Sequence, residues 1–219
     1  MAIVVAIDGA AGSGKSTLAR SLARVLDVAY VNTGVMYRAL ARAALRDAVE
    51  PSDAEDLARV AASLRFALSD DPRMGIEVDG SLPGPELETP EVEAIVSQVA
   101  RHAAVRSVLV RRQRDLGGEG GVVEGRDIGT VVFPDAPVKL YLTADPERRA
   151  QRRAAERRAE ADAATISEGL QMRDAKDART NPFEPAPDAA VIDATDLTID
   201  QVRERALDVI RERLPGAGV

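Results

Sequence analysis

The sequence predicts an α/β protein in which helices cover both faces of a five-stranded parallel sheet, with a block of extra structure inserted after the second strand. Three observations lead there. Short strand-like runs at residues 3–7, 28–31, 121–124, 138–142 and 190–193 are interleaved with segments of helical period. The first run is apolar without a break, as expected of a parallel strand covered on both faces. The composition is 45% hydrophobic but only 3% aromatic, which favours helices packed on a sheet over a β-sandwich. A length of 219 residues suits one such domain carrying an insertion.

The elements follow in order. Residues 3–7 form a strand, and the helix behind it runs to about Asp27. A second strand at 28–31 ends in Asn32-Thr33-Gly34, and the next helix has apolar positions Val35, Met36, Leu40 and Leu45. Ser52 with Glu55 reads as a capping box for a helix through Leu68. Asp70-Asp71-Pro72 then breaks the chain, residues 75–80 alternate as a short strand, and Pro83-Gly84-Pro85 turns it again. Thr89 caps a helix with Pro90 at its first position, which continues to about Leu116 with a break near His102. Residues 48–118 therefore interrupt the alternation as an inserted lobe. Beyond them come the strands at 121–124 and 138–142, an Arg-rich helix from Asp145, and a helix at 167–178. After a loop at 181–187, the last strand at 190–193 precedes a helix capped by Thr198 and Gln201, with Val202, Leu207, Val209 and Ile210 on its apolar face. The core is thus residues 1–47 and 119–219.

Between the first strand and its helix lies Gly9-Ala10-Ala11-Gly12-Ser13-Gly14-Lys15-Ser16-Thr17. Strand, G-x-x-x-x-G-K-S and helix together make a P-loop. A triphosphate must be wrapped closely by backbone N–H groups, so side chains must be absent where the chain approaches it. The helix points its positive end at the anion. Lys15 sets a compact ammonium against the outer phosphates, and the Ser16 hydroxyl is suited to Mg²⁺. Of 29 Lys and Arg residues only Lys15, Lys139 and Lys176 are lysines, so a cation present merely as filler would be Arg.

Ligands of an open α/β sheet sit at the carboxyl ends of its strands. Asn32-Thr33, Arg126-Asp127 and Asp193 stand at such ends, with Arg38 one turn past Thr33. An enzyme that moves phosphate onto a second phosphate must offset a repulsion of roughly 4 kcal/mol between unit charges about 4 Å apart. Arg38 and Arg126 have the chemistry to clamp such an acceptor. The helix from Asp145 carries Arg148, Arg149, Arg152, Arg153, Arg157 and Arg158. Most of these form a solvated face paired with Glu147, Glu156 and Glu160, and one or two serve as lid arginines. Arg173 and Asp177, four apart, read as an exposed ion pair or as a ribose or phosphate contact. His102 reads as structural or surface.

A net charge of -7 argues against nucleic acid as partner, and the absence of Cys excludes disulfides and thiolate metal sites. The N-terminal apolar run is too short for a membrane span and lacks the marks of a signal peptide, so a cytoplasmic protein is expected, acting as a monomer.

The segments IDGAAGSGKST, NTGVMYRAL, residues 96–114, EGRDIGTVVFPDAPVKLYL and RDAKDAR together resemble the bacterial cytidylate kinases, P-loop kinases of nucleoside monophosphates. The resemblance spans essentially the whole chain, and EGRDIGTVVFPDA is its most specific part. It implies transfer of the γ-phosphoryl of ATP to CMP or dCMP with Mg²⁺, and a sheet order of 2-3-1-4-5. It further implies that Ser97, Arg106 and Asp127 read cytosine beside Thr33, and that Arg38 and Arg126 hold the acceptor phosphate. By the same resemblance Asp177 and Arg173 meet the ribose, Arg152 or Arg153 act from a lid at about 148–168, and residues 48–118 are the acceptor-binding lobe. Three positions depart from the family's pattern: Asn32 stands where Asp is usual, Ala10 where Pro is common, and Arg179 follows Asp177 by two residues instead of three.

The residues alone leave other readings open: a P-loop kinase for another small acceptor, or a nucleotide-dependent switch. Against the switch, no N-K-x-D guanine-reading sequence occurs. An acceptor phosphate is already an anion at neutral pH, so a chain rich in Arg and without an obvious general base suits phosphate-to-phosphate transfer.

Overall fold

The first apolar run becomes a strand buried at every position, Val4–Gly9 (β1). The structure, a computed structural model, describes residues 3–157 and 184–216. Helix Lys15–Leu26 (α1) follows and ends where Asp27 takes the left-handed conformation. Strand Ala29–Asn32 (β2) runs straight into helix Thr33–Arg46 (α2). Next come helix Ala54–Ser63 (α3), strands Phe66–Leu68 (β3) and Ile76–Val78 (β4), and helices Pro90–Ala100 (α4) and Ala103–Gly117 (α5). The alternation resumes with strand Gly121–Glu124 (β5), a π-helical turn at Ile128–Val132, strand Val138–Thr143 (β6) and helix Pro146–Arg157 (α6). Strand Ala190–Asp193 (β7) and helix Ile199–Arg213 (α7) complete the described chain. The expected helix at 167–178 and the lid beyond residue 157 lie outside the described residues, as do Arg173, Asp177 and Arg179.

Five strands form one parallel sheet in the order β2-β5-β1-β6-β7. Counting only these strands, that is 2-3-1-4-5, the order the resemblance implied. Alternation along β1 explains why the run is apolar throughout. Val4 and Ala6 face a cluster with Val31, Met36, Leu40, Leu57, Leu109 and Val123, whereas Val5 and Ile7 face Leu18, Leu22, Leu140, Leu207 and Ile210. Each of these large side chains contributes about 1.5–3 kcal/mol by leaving water. The α2, α3 and α5 side chains cover one face of the sheet, and those of α1 and α7 the other.

Several boundaries differ from expectation. Asp53, not Ser52, caps α3, accepting from the N–H groups of Glu55 and Asp56. The helix stops at Ser63, and Phe66–Leu68 pairs antiparallel with β4 instead of extending it. Phe66, Ala67 and Leu68 have one partly buried face, so pairing suits them better than a further helical turn. Leu45 is exposed rather than part of the core face of α2. The break between α4 and α5 falls at Arg101 and His102, and the His102 ring contacts the Pro51 carbonyl at 2.8 Å, a structural role. Thr198 and Gln201 form the expected reciprocal capping box. Among the described residues no helix is long and apolar enough to cross a membrane.

Candidate active site

The parallel register brings the carboxyl ends of β2, β5 and β1 side by side: Asn32 is opposite Glu124, and Ile7 opposite Glu124 on its other flank. The Gly-rich loop leaves β1 at this edge. Gly9 has φ 148, and a Cβ there would stand 2.1 Å from the Leu142 carbonyl oxygen of β6. Gly12 has φ 72, with the backbone of Arg149 pressed against it from α6. Both positions exclude a side chain on steric grounds. α1 starts at Lys15 with Gly14 as its N-cap and no side-chain cap, so its first amides suit an anion.

Cations surround the loop's outer carbonyls. Arg126 donates to Gly9 O at 2.9 Å, Lys15 Nζ to Ala10 O at 2.7 Å, Arg149 to Ala11 O at 3.2 Å and Arg152 to Ser13 O at 3.4 Å. Arg152 also donates to the Ala194 carbonyl at the end of β7, which holds it against the outside of the loop. Arg153 instead lines the cleft in front of the loop and pairs with Glu93 of α4 at 2.9 Å. Residues 148–157 of the expected lid therefore divide: Arg148 is exposed beside Asp196, Arg149 is buried, and Arg153 faces the cleft.

The same cleft is lined by Lys15, Ser16, Thr33, Arg38, Ser97, Arg106, Arg126 and Asp127. Thr33 is buried at the start of α2 and donates to the Glu124 carbonyl at 2.8 Å. Arg38 folds back over Gly34, where a Cβ would meet its Nη1 at 3.2 Å. Ser97 reaches the cleft from α4. Arg106 of α5 forms a largely buried ion pair with Asp127. Burial opposes the Arg106 charge, but the Asp127 carboxylate outweighs it and raises the pKa. Burial also pushes the neighbouring Tyr37 hydroxyl up to about 12.

Asp193 does not reach this cleft. It is exposed and accepts from the Thr195 backbone and hydroxyl. β7 is the outermost strand, and β6 separates it from β1.

Two carboxylates in the site, Glu124 and Asp8, escaped the sequence reading, and Asn32, marked there only as a strand-end residue, proves to be a cap. Glu124, the last residue of β5 and 3% exposed, accepts from Ser16 Oγ at 3.0 Å and from the Tyr30 hydroxyl at 2.7 Å. Asn32 caps α2 through Val35 N–H and donates to Tyr30 from its amide nitrogen. Asp8 is buried and accepts from the N–H groups of Ile128 and Gly129. Burial raises the Asp8 pKa to about 6, with Asp127 adding to the rise, while those two hydrogen bonds and Lys15 work in the opposite sense. The signal for Glu124 and Asp8 was a carboxylate at the end of an otherwise apolar strand.

Comparison with known proteins follows the same lines. A sequence model of the family described as cytidylate kinase matches residues 5–212. A cytidylate kinase of Rhodococcus jostii (strain RHA1) is 45% identical over 224 residues, covering 99% of this chain and 97% of that protein. A cytidylate kinase of Mycolicibacterium paratuberculosis (strain ATCC BAA-968 / K-10) is 42% identical, covering 96% of each. A bifunctional pantoate ligase/cytidylate kinase of Synechococcus sp. (strain JA-3-3Ab) is 40% identical over 98% of this chain, which spans 42% of that longer protein.

Proposed function

Because the chain belongs to the cytidylate kinase family, we infer that it transfers the γ-phosphoryl group of ATP to CMP or dCMP, giving ADP and CDP or dCDP. One observation carries the assignment of roles: Lys15 and Ser16 of the Gly-rich loop share a single cleft with Arg38, Arg126, Arg153 and the Arg106–Asp127 pair.

The loop at residues 9–17 binds the ATP phosphates through its amides, with Lys15 against the outer ones. Arg38 and Arg126 hold the acceptor phosphate and offset its repulsion from the donor. Arg153, and Arg152 once it leaves its loop and β7 carbonyls, stabilise charge on the transferring group. No base is needed, because the attacking oxygen is already anionic; positioning and neutralisation suffice.

Ser97, Arg106 and Asp127 read the cytosine edge, with Thr33 bracing the strand end beside them. Cytosine offers an amino donor where uracil offers a carbonyl acceptor. A carboxylate accepts from the first and is repelled by the second, so Asp127 selects against UMP. Asp177 and Arg173 take the ribose, as the resemblance implies. Residues 48–118 serve as the acceptor-binding insert, since Ser97 and Arg106 both come from it, and the segment from about 148 to 168 serves as the lid.

Mg²⁺ fits the donor set: a hydroxyl and a buried carboxylate, Ser16 and Glu124, stand 3.0 Å apart beside the loop. Bound there with the phosphates, it would neutralise their charge. ATP and CMP as substrates go with a cytoplasmic location, and we read the chain as acting as a monomer.

A substrate panel tests this reading. ADP formation from ATP should be far faster with CMP or dCMP than with UMP or AMP. Similar rates with all four would remove the cytosine-reading role.

A further inference from the structure

Asp8 is 6% exposed, in a strand whose other side chains are apolar. Its two carboxylate oxygens accept separately from two consecutive amides, Ile128 N–H at 2.7 Å and Gly129 N–H at 2.8 Å. The same two segments are joined again on either side of this contact. Gly125 N–H donates to Ile7 O at 2.9 Å, and Arg126 donates to Gly9 O at 2.9 Å. Residues 7, 8 and 9 thus hold residues 125, 126, 128 and 129. Asp127 stands inside this bracket, and its side chain is left to pair with Arg106.

A buried carboxylate is costly, and an apolar side chain of similar size would fill the space without that cost. What an apolar side chain could not do is fix two neighbouring amides at once. Asp8 also immediately precedes Gly9, where the Gly-rich loop begins. One side chain therefore joins the start of the phosphate-binding loop to the segment carrying Arg126 and Asp127. Phosphoryl transfer needs donor and acceptor held within a fraction of an ångström of the reactive separation, so such a joint has kinetic consequences.

We propose that Asp8 is a positioning residue that sets Arg126 and Asp127 at a fixed distance from the donor loop, and so governs acceptor binding and base selection without touching either nucleotide. The proposal rests on reading Arg126 and Asp127 as acceptor contacts.

Asp8→Asn tests it, because the amide keeps the shape but offers one acceptor oxygen and turns an N–H₂ toward the second backbone amide. KM for CMP should rise about tenfold while KM for ATP changes by less than about twofold. The preference for CMP over UMP should narrow. A folded variant with an unchanged KM for CMP, or with both KM values raised equally, overturns the proposal. Asp127→Asn, measured in parallel, separates the two levels. If it raises KM for CMP and Asp8→Asn does not, the role of Asp8 fails alone; if Asp127→Asn changes neither KM nor selectivity, the acceptor reading itself fails and the proposal with it. Should Asp8→Asn not fold, amide exchange in the wild-type protein decides. The Ile128 and Gly129 amides should be as protected as those of β1, and exchange at the rate of an exposed loop overturns the proposal.

Discussion

Ser16 donates its hydroxyl hydrogen to Glu124 at 3.0 Å, joining the first turn of α1 to the end of β5 across 108 residues. The other Glu124 oxygen accepts from Tyr30, which in turn accepts from Asn32. This chain aims the carboxylate at the loop. Glu124→Gln should raise the Mg²⁺ concentration for half-maximal turnover about 10–100-fold. A Mg²⁺ titration identical to wild type would remove Glu124 from the proposed metal site.

Lys15→Ala should lower turnover by on the order of 10²–10³ while leaving thermal unfolding near that of the wild type. Lys15→Arg should not restore it, since a planar guanidinium cannot take the place of a compact ammonium within this tight loop. Restored activity in the Arg variant would refute the phosphate-holding role.

Arg126→Ala should raise KM for CMP about 10–100-fold and KM for ATP far less. Steady-state kinetics with each substrate varied in turn read this directly. A drop in melting temperature with unchanged KM values would instead mark Arg126 as a brace for the Gly9 carbonyl.

The buried Asp8 gives stability a defined pH dependence. Its pKa is raised from 3.8 to about 6, chiefly by burial, against the pull of Lys15 and with Asp127 adding to the rise. A raised folded-state pKa means the folded protein holds this proton more tightly than the unfolded chain. The contribution is therefore fully present below about pH 4 and lost as pH climbs through 6, roughly 3 kcal/mol over the whole window. Denaturant unfolding at pH 4 and pH 7 should show wild type losing stability relative to Asp8→Asn as pH rises. A constant difference between the two proteins would contradict this.

Sequence made the donor half of the site legible because its requirements are local. A loop that wraps phosphate must be Gly-rich, and the strand before it and the helix after it are contiguous in the chain. Asp127 was marked by its place at a strand end and Arg106 only through family resemblance, and their pairing depends on α5 packing against the sheet, which no local pattern reports. Glu124 and Asp8 stood in plain view as acids at strand ends, but their partners, Ser16 and the amides of Ile128 and Gly129, lie more than 100 residues away. The shift of the α3 cap from Ser52 to Asp53 has a different origin. Both residues can cap, and the choice falls to the register that buries Leu57 and Ala61. Asn32 looked like a departure from pattern, yet as an N-cap a neutral amide serves as well as a carboxylate, and it alone can donate to Tyr30.

The helix α6 is fastened at both ends of the crevice, by Arg149 and Arg152 to the Gly-rich loop and by Arg153 to Glu93 of the insert. If admitting a nucleotide required those two walls to part, Arg153 would have to leave Glu93, an ion pair that dissolved salt weakens. Ionic strength would then act twice in opposite senses, easing that separation while weakening the proposed hold of the loop on phosphate.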